Sequence, residues 1–128
     1  MGQRELWQRI DAPLEGEAIS FPLDVCTSFK NQLGEQQQLT MKEGGFTVCM
    51  AGKYYAYRNH CPHVGTPLDW LPNQFFSEDG AMLLCHTHGA LFEPTTGECM
   101  AGPCPRGLYP LGLKMLDDEL WVVKSISL

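Results

Sequence analysis

Apolar and polar residues alternate with a period of two through several short runs of this chain, and sustained helical spacing is scarce. Phe46-Thr47-Val48-Cys49-Met50, then Ala51-Gly52-Lys53, then Tyr54-Tyr55-Ala56-Tyr57 predicts a β-hairpin closed by a tight turn. Ala81-Met82-Leu83-Leu84 and Leu91-Phe92 are further short apolar runs, the second stopping at a Glu-Pro-Thr-Thr-Gly turn. Leu111, Leu113 and Met115 alternate along one strand, Asp117-Asp118-Glu119 turns the chain, and Leu120-Trp121-Val122-Val123 returns. The 13 glycines and 9 prolines leave little room for long helices. A helical turn or two is expected around Cys26 to Leu33, followed by an exposed Gln-rich loop from Gly34 to Gln38. The pattern as a whole is antiparallel β.

Composition narrows the class. A chain of 128 residues suits one domain with a real core, and 44% hydrophobic with 19% charged residues is ordinary for a folded domain. No window approaches the roughly 20 apolar residues that cross a bilayer. The first residues carry spaced charges without an apolar run, and Leu6 stands where N-myristoylation needs Ser or Thr, so the expected location is cytoplasmic, off the membrane. A formal charge of -6 disfavours nucleic acid, whose phosphates need a basic face.

Six cysteines in a chain expected in a reducing compartment read as metal ligands, redox thiols or small core residues. All four histidines lie beside cysteine, in His60-Cys61-Pro62-His63 and Cys85-His86-Thr87-His88-Gly89, each stretch following a predicted strand. Cys61-x-His63 and Cys85-x-x-His88, with residues 64–84 between them, offer two thiolates and two imidazoles. Zinc would accept that set, and so would a [2Fe-2S] cluster in which two histidines replace two cysteines on one iron. Zinc knuckles usually draw both sulfurs from one turn; one Cys and one His from each loop favours the dinuclear centre.

Cys61-Pro62-His63-Val64-Gly65 with Cys85-His86-Thr87-His88-Gly89-Ala90-Leu91-Phe92, then Thr96-Gly97 and Gly102-Pro103, resembles the Rieske iron-sulfur family. The likeness runs from about Phe46 to the C-terminus. It implies an all-β Rieske fold of three antiparallel sheets, with a cluster-binding subdomain of about 59–105 set into a base of about 1–58 and 106–128. It also implies one [2Fe-2S] cluster per chain, with Cys61 and Cys85 on the buried iron and His63 and His88 on the outer iron. Gly65, Thr66, Thr87, Gly89 and Pro103 would line it. The 64–84 connector is longer than the family's common spacing, and Leu71 to Gly80 is expected to extend a hairpin there.

Compared with respiratory Rieske proteins, Thr66 and Thr87 stand where a bracing disulfide would need cysteines. Ala90 and Phe92 stand where hydroxyl donors to sulfur would be. Fewer donors leave the reduced, more negative cluster less stabilised. Between Asn59 and Pro105 there is no Lys or Arg, whereas Asp69, Glu78, Asp79, Glu93 and Glu98 all fall there. Both features predict a low potential, on the order of -150 mV. The acidic stretch predicts redox partners with a basic docking surface and salt-sensitive transfer. His60 and His86 are expected off the cluster. Cys99 and Cys104 are expected as small side chains packed under the Gly102-Pro103 loop, in preference to a disulfide or a redox pair. Cys26 and Cys49 are expected in the core, and Trp70, Phe75 and Phe76 either pack on the base or form a partner patch.

The expected function is a one-electron carrier between a reductase and a terminal oxygenase or similar enzyme. No substrate-pocket motif, mononuclear iron site or flavin or nicotinamide fingerprint marks the chain as an enzyme by itself. A small subunit or regulatory module of a larger oxidoreductase, of oxygenase or nitrite reductase type, is the alternative. A zinc-stabilised interaction module is the third.

Overall fold

The computed structural model describes residues 7–62, 68–69, 73–86, 89–102 and 104–127, and among them there are ten strands in three sheets and no helix. The middle sheet has the order β10-β2-β3-β4, built from β2 (Ala18–Lys30), β3 (Gln36–Met50), β4 (Lys53–Arg58) and β10 (Ser125–Ser127). β2 and β3 pair antiparallel without a break, from Ala18 opposite Val48 to Lys30 opposite Gln36. That ladder replaces the helical turn expected at Cys26 to Leu33. Phe21, Leu23 and Val25 are buried at a period of two, and continuing the strand lets the backbone of Cys26 to Lys30 pair with Gln36 to Thr40. The Gln-rich segment is likewise strand from Gln36 onward, although exposed. Only Asn31 to Glu35 turn, where the Asn31 Oδ1 accepts the Leu33 and Glu35 N–H groups at 3.0 and 2.9 Å.

The β3–β4 hairpin lies where the alternation placed it. Ala51 and Gly52 both have positive φ (53° and 76°), as a two-residue turn of this hand requires. The Glu15 carboxylate accepts both of their N–H groups, at 2.7 and 2.8 Å. β10 runs parallel to β2, the one departure from the all-antiparallel expectation among the described pairings.

A second sheet, order β1-β9-β8, joins β1 (Trp7–Ile10), β8 (Leu113–Leu116) and β9 (Glu119–Val123). Its hairpin turns at Asp117 and Asp118, again both at positive φ. The third sheet, order β5-β6-β7, is small: β5 (Leu83–Leu84), β6 (Leu91–Phe92) and β7 (Cys99–Ala101).

Side chains alternate across a sheet, so β2, β3 and β4 present two faces and wall two cores. Ala18, Phe46, Val48 and Tyr57 face one core, which holds Cys61, Cys85 and the third-sheet residues Leu83 and Phe92. Phe21, Leu23, Val25 and Ala56 face the other, against Leu111 and Val122. In the first core Phe75 stacks on Phe46 at 4.1 Å between ring centroids, so this connector residue packs on the middle sheet. Tyr57 donates its buried hydroxyl to the Pro94 carbonyl at 2.8 Å, joining β4 to the turn between β6 and β7.

Candidate metal centre

Both Cys/His stretches leave strands that wall the first core. β4 ends at Arg58, and the next residue, Asn59, holds the chain on both sides of the first stretch. Its backbone N–H donates to the Gly44 carbonyl at 2.9 Å. Its side chain accepts the Leu68 N–H at 2.7 Å and donates to the Asp69 carboxylate at 2.9 Å. Asp69 in turn accepts the Asn73 N–H, and Asn73 accepts the Ser20 N–H at 2.7 Å, which anchors the clamp to β2. One side chain therefore fixes the span of the intervening loop. The sequence reading missed Asn59; an amide directly ahead of a Cys/His loop, able to donate and accept at once, was the available signal.

The second stretch closes on itself. Cys85 donates its N–H to the Ala90 carbonyl at 2.9 Å, and the Gly89 N–H donates back to the Cys85 carbonyl at 2.8 Å. Gly89 takes φ 75°, which a glycine adopts without strain. The His86 N–H donates to the Leu68 carbonyl at 3.0 Å, so the end of the first loop and the start of the second are hydrogen-bonded to each other. Cys61 and Cys85 are both 0% exposed and belong to the same core.

The other expected residues divide as follows. His63, Gly65, Thr66, Trp70, Thr87, His88 and Pro103 lie outside the described residues. His60 places Nδ1 3.4 Å from the Glu43 carboxylate, which also takes the Arg58 guanidinium through both its oxygens. His86 sets Nε2 2.9 Å from the Gln74 carbonyl oxygen. Ala90 and Phe92 are fully buried. The connector forms a short hairpin, with Phe76 bridged to Leu83 and Gly80 at positive φ in its tip. The exposed Asp79 carboxyl is held below its ordinary value by hydrogen bonds from the Ser77 hydroxyl and the Ala81 N–H. Phe76 is half-buried against the first core.

Two cysteine expectations are corrected. Cys99 and Cys104 are joined as a disulfide, with Cα atoms 6.0 Å apart, and are not merely packed side by side. Gly102, at φ 88°, folds the chain back, and the Cys104 N–H donates to the Gly102 carbonyl at 2.9 Å, which returns Cys104 to Cys99. Cys26 is half-buried near the Thr40 hydroxyl rather than in the core, because the strand turns it away from Val25. Cys49 is buried as expected, and burial together with the nearby Glu15 charge pushes its thiol up.

A family model of the Rieske [2Fe-2S] domain matches residues 22–125. The chain belongs to the Rieske [2Fe-2S] family. No curated protein matches it. Among solved structures, a chain of the complex of reduced oxygenase and oxidized ferredoxin in carbazole 1,9a-dioxygenase is 19% identical with a TM-score of 0.64, over 98% of this chain and 99% of that one. The ferredoxin of carbazole 1,9a-dioxygenase from Nocardioides aromaticivorans IC177 is 23% identical with a TM-score of 0.51, over 63% of this chain and 75% of that one. A longer chain, from the reduced complex between oxygenase and ferredoxin in carbazole 1,9a-dioxygenase, is 16% identical with a TM-score of 0.63; the likeness spans 96% of this Rieske chain and 29% of that one. These likenesses establish the all-β Rieske fold. A Rieske domain implies a [2Fe-2S] cluster. Two dry, neighbouring loop roots, each with a buried cysteine, fit the thiolate half of such a site.

Proposed function

We propose that this Rieske chain is a one-electron carrier without a substrate site of its own, passing electrons between a reductase and a terminal oxygenase or similar oxidoreductase. The observation that carries the reading is the burial of Cys61 and Cys85 in one apolar core, on two stretches whose loops are joined by the hydrogen bond from His86 to Leu68. Bound there, a [2Fe-2S] cluster takes up and returns a single electron. Cys61 and Cys85 would supply its thiolates from the buried side, and His63 and His88 would supply the imidazoles. Asn59 and the 85–90 turn hold the loops that present them. Gly89, with Gly65, Thr66, Thr87 and Pro103, would line the site, in a subdomain of about 59–105 set into the base.

Three features support the remaining detail. Ala90 and Phe92, buried beside the second loop, bring no hydroxyl to sulfur, and the surrounding charge is negative. The midpoint potential is therefore low, on the order of -150 mV. Glu78, Asp79 and Glu98 are exposed, which suits a partner with a basic docking surface. Similar structures contain an oxygenase with a ferredoxin, which supports that partner class. The likeness to part of a much longer chain favours, as a second reading, a module of a larger oxidoreductase.

Metal and acid-labile sulfide analysis with an EPR-monitored redox titration tests the assignment on anaerobically purified protein. Equal iron and sulfide with a midpoint below zero is expected. Zinc without sulfide overturns the cluster, and a midpoint above zero overturns the low potential. Added salt slows reduction of a partner oxygenase if the docking reading holds; a rate indifferent to salt removes it.

A further inference from the structure

The Cys99–Cys104 disulfide has no part in the carrier reading, and its position gives it one. Cys99 opens β7 and pairs directly with Phe92 of β6, the strand that continues the second Cys/His stretch. Both sulfurs pack against the core that contains Cys61 and Cys85. Between the two cysteines, Gly102 lies so close to that stretch that a Cβ there would stand 2.8 Å from the Ala90 Cα and 3.2 Å from the Gly89 carbonyl oxygen. The disulfide thus closes a tight loop pressed onto the turn following Cys85.

The pair is also built to open. Cys99 and Cys104 are partly exposed, whereas Cys61 and Cys85 are fully buried, so an attacking thiolate has access to this pair and not to Cys61 or Cys85. Cys104 Sγ lies 3.4 Å from the Ala101 carbonyl oxygen, an acceptor ready for the thiol once the bond is broken. Five residues of separation keep the two sulfurs within reach of each other afterwards. The reducing compartment expected from the sequence is one in which disulfides are characteristically transient and redox-sensing.

We propose that Cys99 and Cys104 form a reversible thiol–disulfide exchange site, opened by a dithiol reductant, that sets how tightly the 99–104 loop presses on the second Cys/His stretch and thereby the ease with which the centre accepts an electron. In the exchange the S–S bond breaks, two protein thiols form, and the dithiol leaves as its own disulfide, so electrons and protons balance without the cluster. The oxidised pair holds the loop down and water out. The reduced pair loosens it, and better solvation of the added negative charge raises the potential. This last step rests on the cluster assignment above.

The test uses the intact holoprotein, incubated with reduced or with oxidised dithiothreitol. Alkylation and mass spectrometry of the peptide spanning residues 99–104 report the thiols, and an EPR titration reports the midpoint of each form. The expected result is a peptide with no alkylated cysteine before reduction and two after it, with a higher midpoint for the dithiol form. The double variant Cys99→Ser, Cys104→Ser is expected to show one midpoint, near the dithiol value and indifferent to dithiothreitol. A peptide alkylated as isolated, or still closed under excess dithiol, overturns the exchange site. Equal midpoints in the two forms overturn its effect on the centre. Protein lacking iron would instead fail the cluster assignment, while the alkylation result would still decide the exchange.

Discussion

Tyr57 stands at the junction between β4 and the third sheet, with its ring under Gly97 and its hydroxyl on Pro94. Burial, with the nearby Tyr55 and Glu93, pushes that hydroxyl from 10.0 up to about 12. The unfolded chain ionises first as pH rises, so the stability tied to neutral Tyr57 is complete below about pH 10 and is lost as pH climbs through about 12. Tyr57→Phe is expected to lose about 1 kcal/mol at pH 7 by urea unfolding, and to show a shallower alkaline decline than the parent. Asn59 belongs to the same scale. Asn59→Ala removes an acceptor from Leu68 and a donor to Asp69, and is expected to cost about 1–3 kcal/mol. Iron should be lost faster from the variant in a chelator challenge; unchanged retention would mean the clamp does not govern the loop. Ala90→Ser places a hydroxyl where the chain has none, and an EPR titration should find its midpoint raised if that hydroxyl reaches a sulfur.

Among the elements, the β2–β3 hairpin is the least supported. β4 covers β3 only from Gly45 to Met50, and β10 covers β2 only from Asp24 to Cys26. Beyond these limits two strands pair alone, and two-stranded ribbons are marginal in water. One face carries Phe29, Leu39 and Met41, all substantially exposed, while Ser28, Gln38 and Thr40 lie on the other. Hydrogen exchange should be much faster at Ser28 to Lys30 and Gln36 to Gln38 than at Phe46 to Val48, and equal protection would contradict the marginal ribbon. This is also where local reading of the sequence failed. Cys26 to Leu33 has no regular apolar spacing of its own, and its conformation is imposed by pairing with the Gln-rich segment. The β3–β4 and β8–β9 hairpins were legible because each carries its alternation and its turn residues within a few positions.

For the molecule as a whole, β2, β3 and β4 act as a wall shared by two cores, with the candidate centre on one side and the β1-β9-β8 sheet on the other. The fold class was legible from short alternating runs, and of the four Cys and His residues that the sequence put forward the structure brings Cys61 and Cys85 into one core. What binds the two loops together was not legible. The Asn59 clamp and the His86 to Leu68 hydrogen bond link residues far apart in sequence whose side chains carry no distinctive pattern. The disulfide was ranked behind simple packing because spacing alone does not reveal that Gly102 reverses the chain.

Because Leu68 and His86 meet, the intervening chain is an excursion that begins and ends at one place. Beyond the bridge of Phe76 to Leu83 the tip is free of the clamp and the core, and lengthening it there adds only a small, logarithmic entropy cost. Its tip at Glu78, Asp79 and Gly80 is exposed. A short Gly-Ser insert after Asp79 should leave the visible spectrum and midpoint unchanged, whereas bleaching would show that the excursion is not independent. That tip then becomes a handle for attaching a dye or tethering the protein to an electrode without touching the residues proposed to hold its metal.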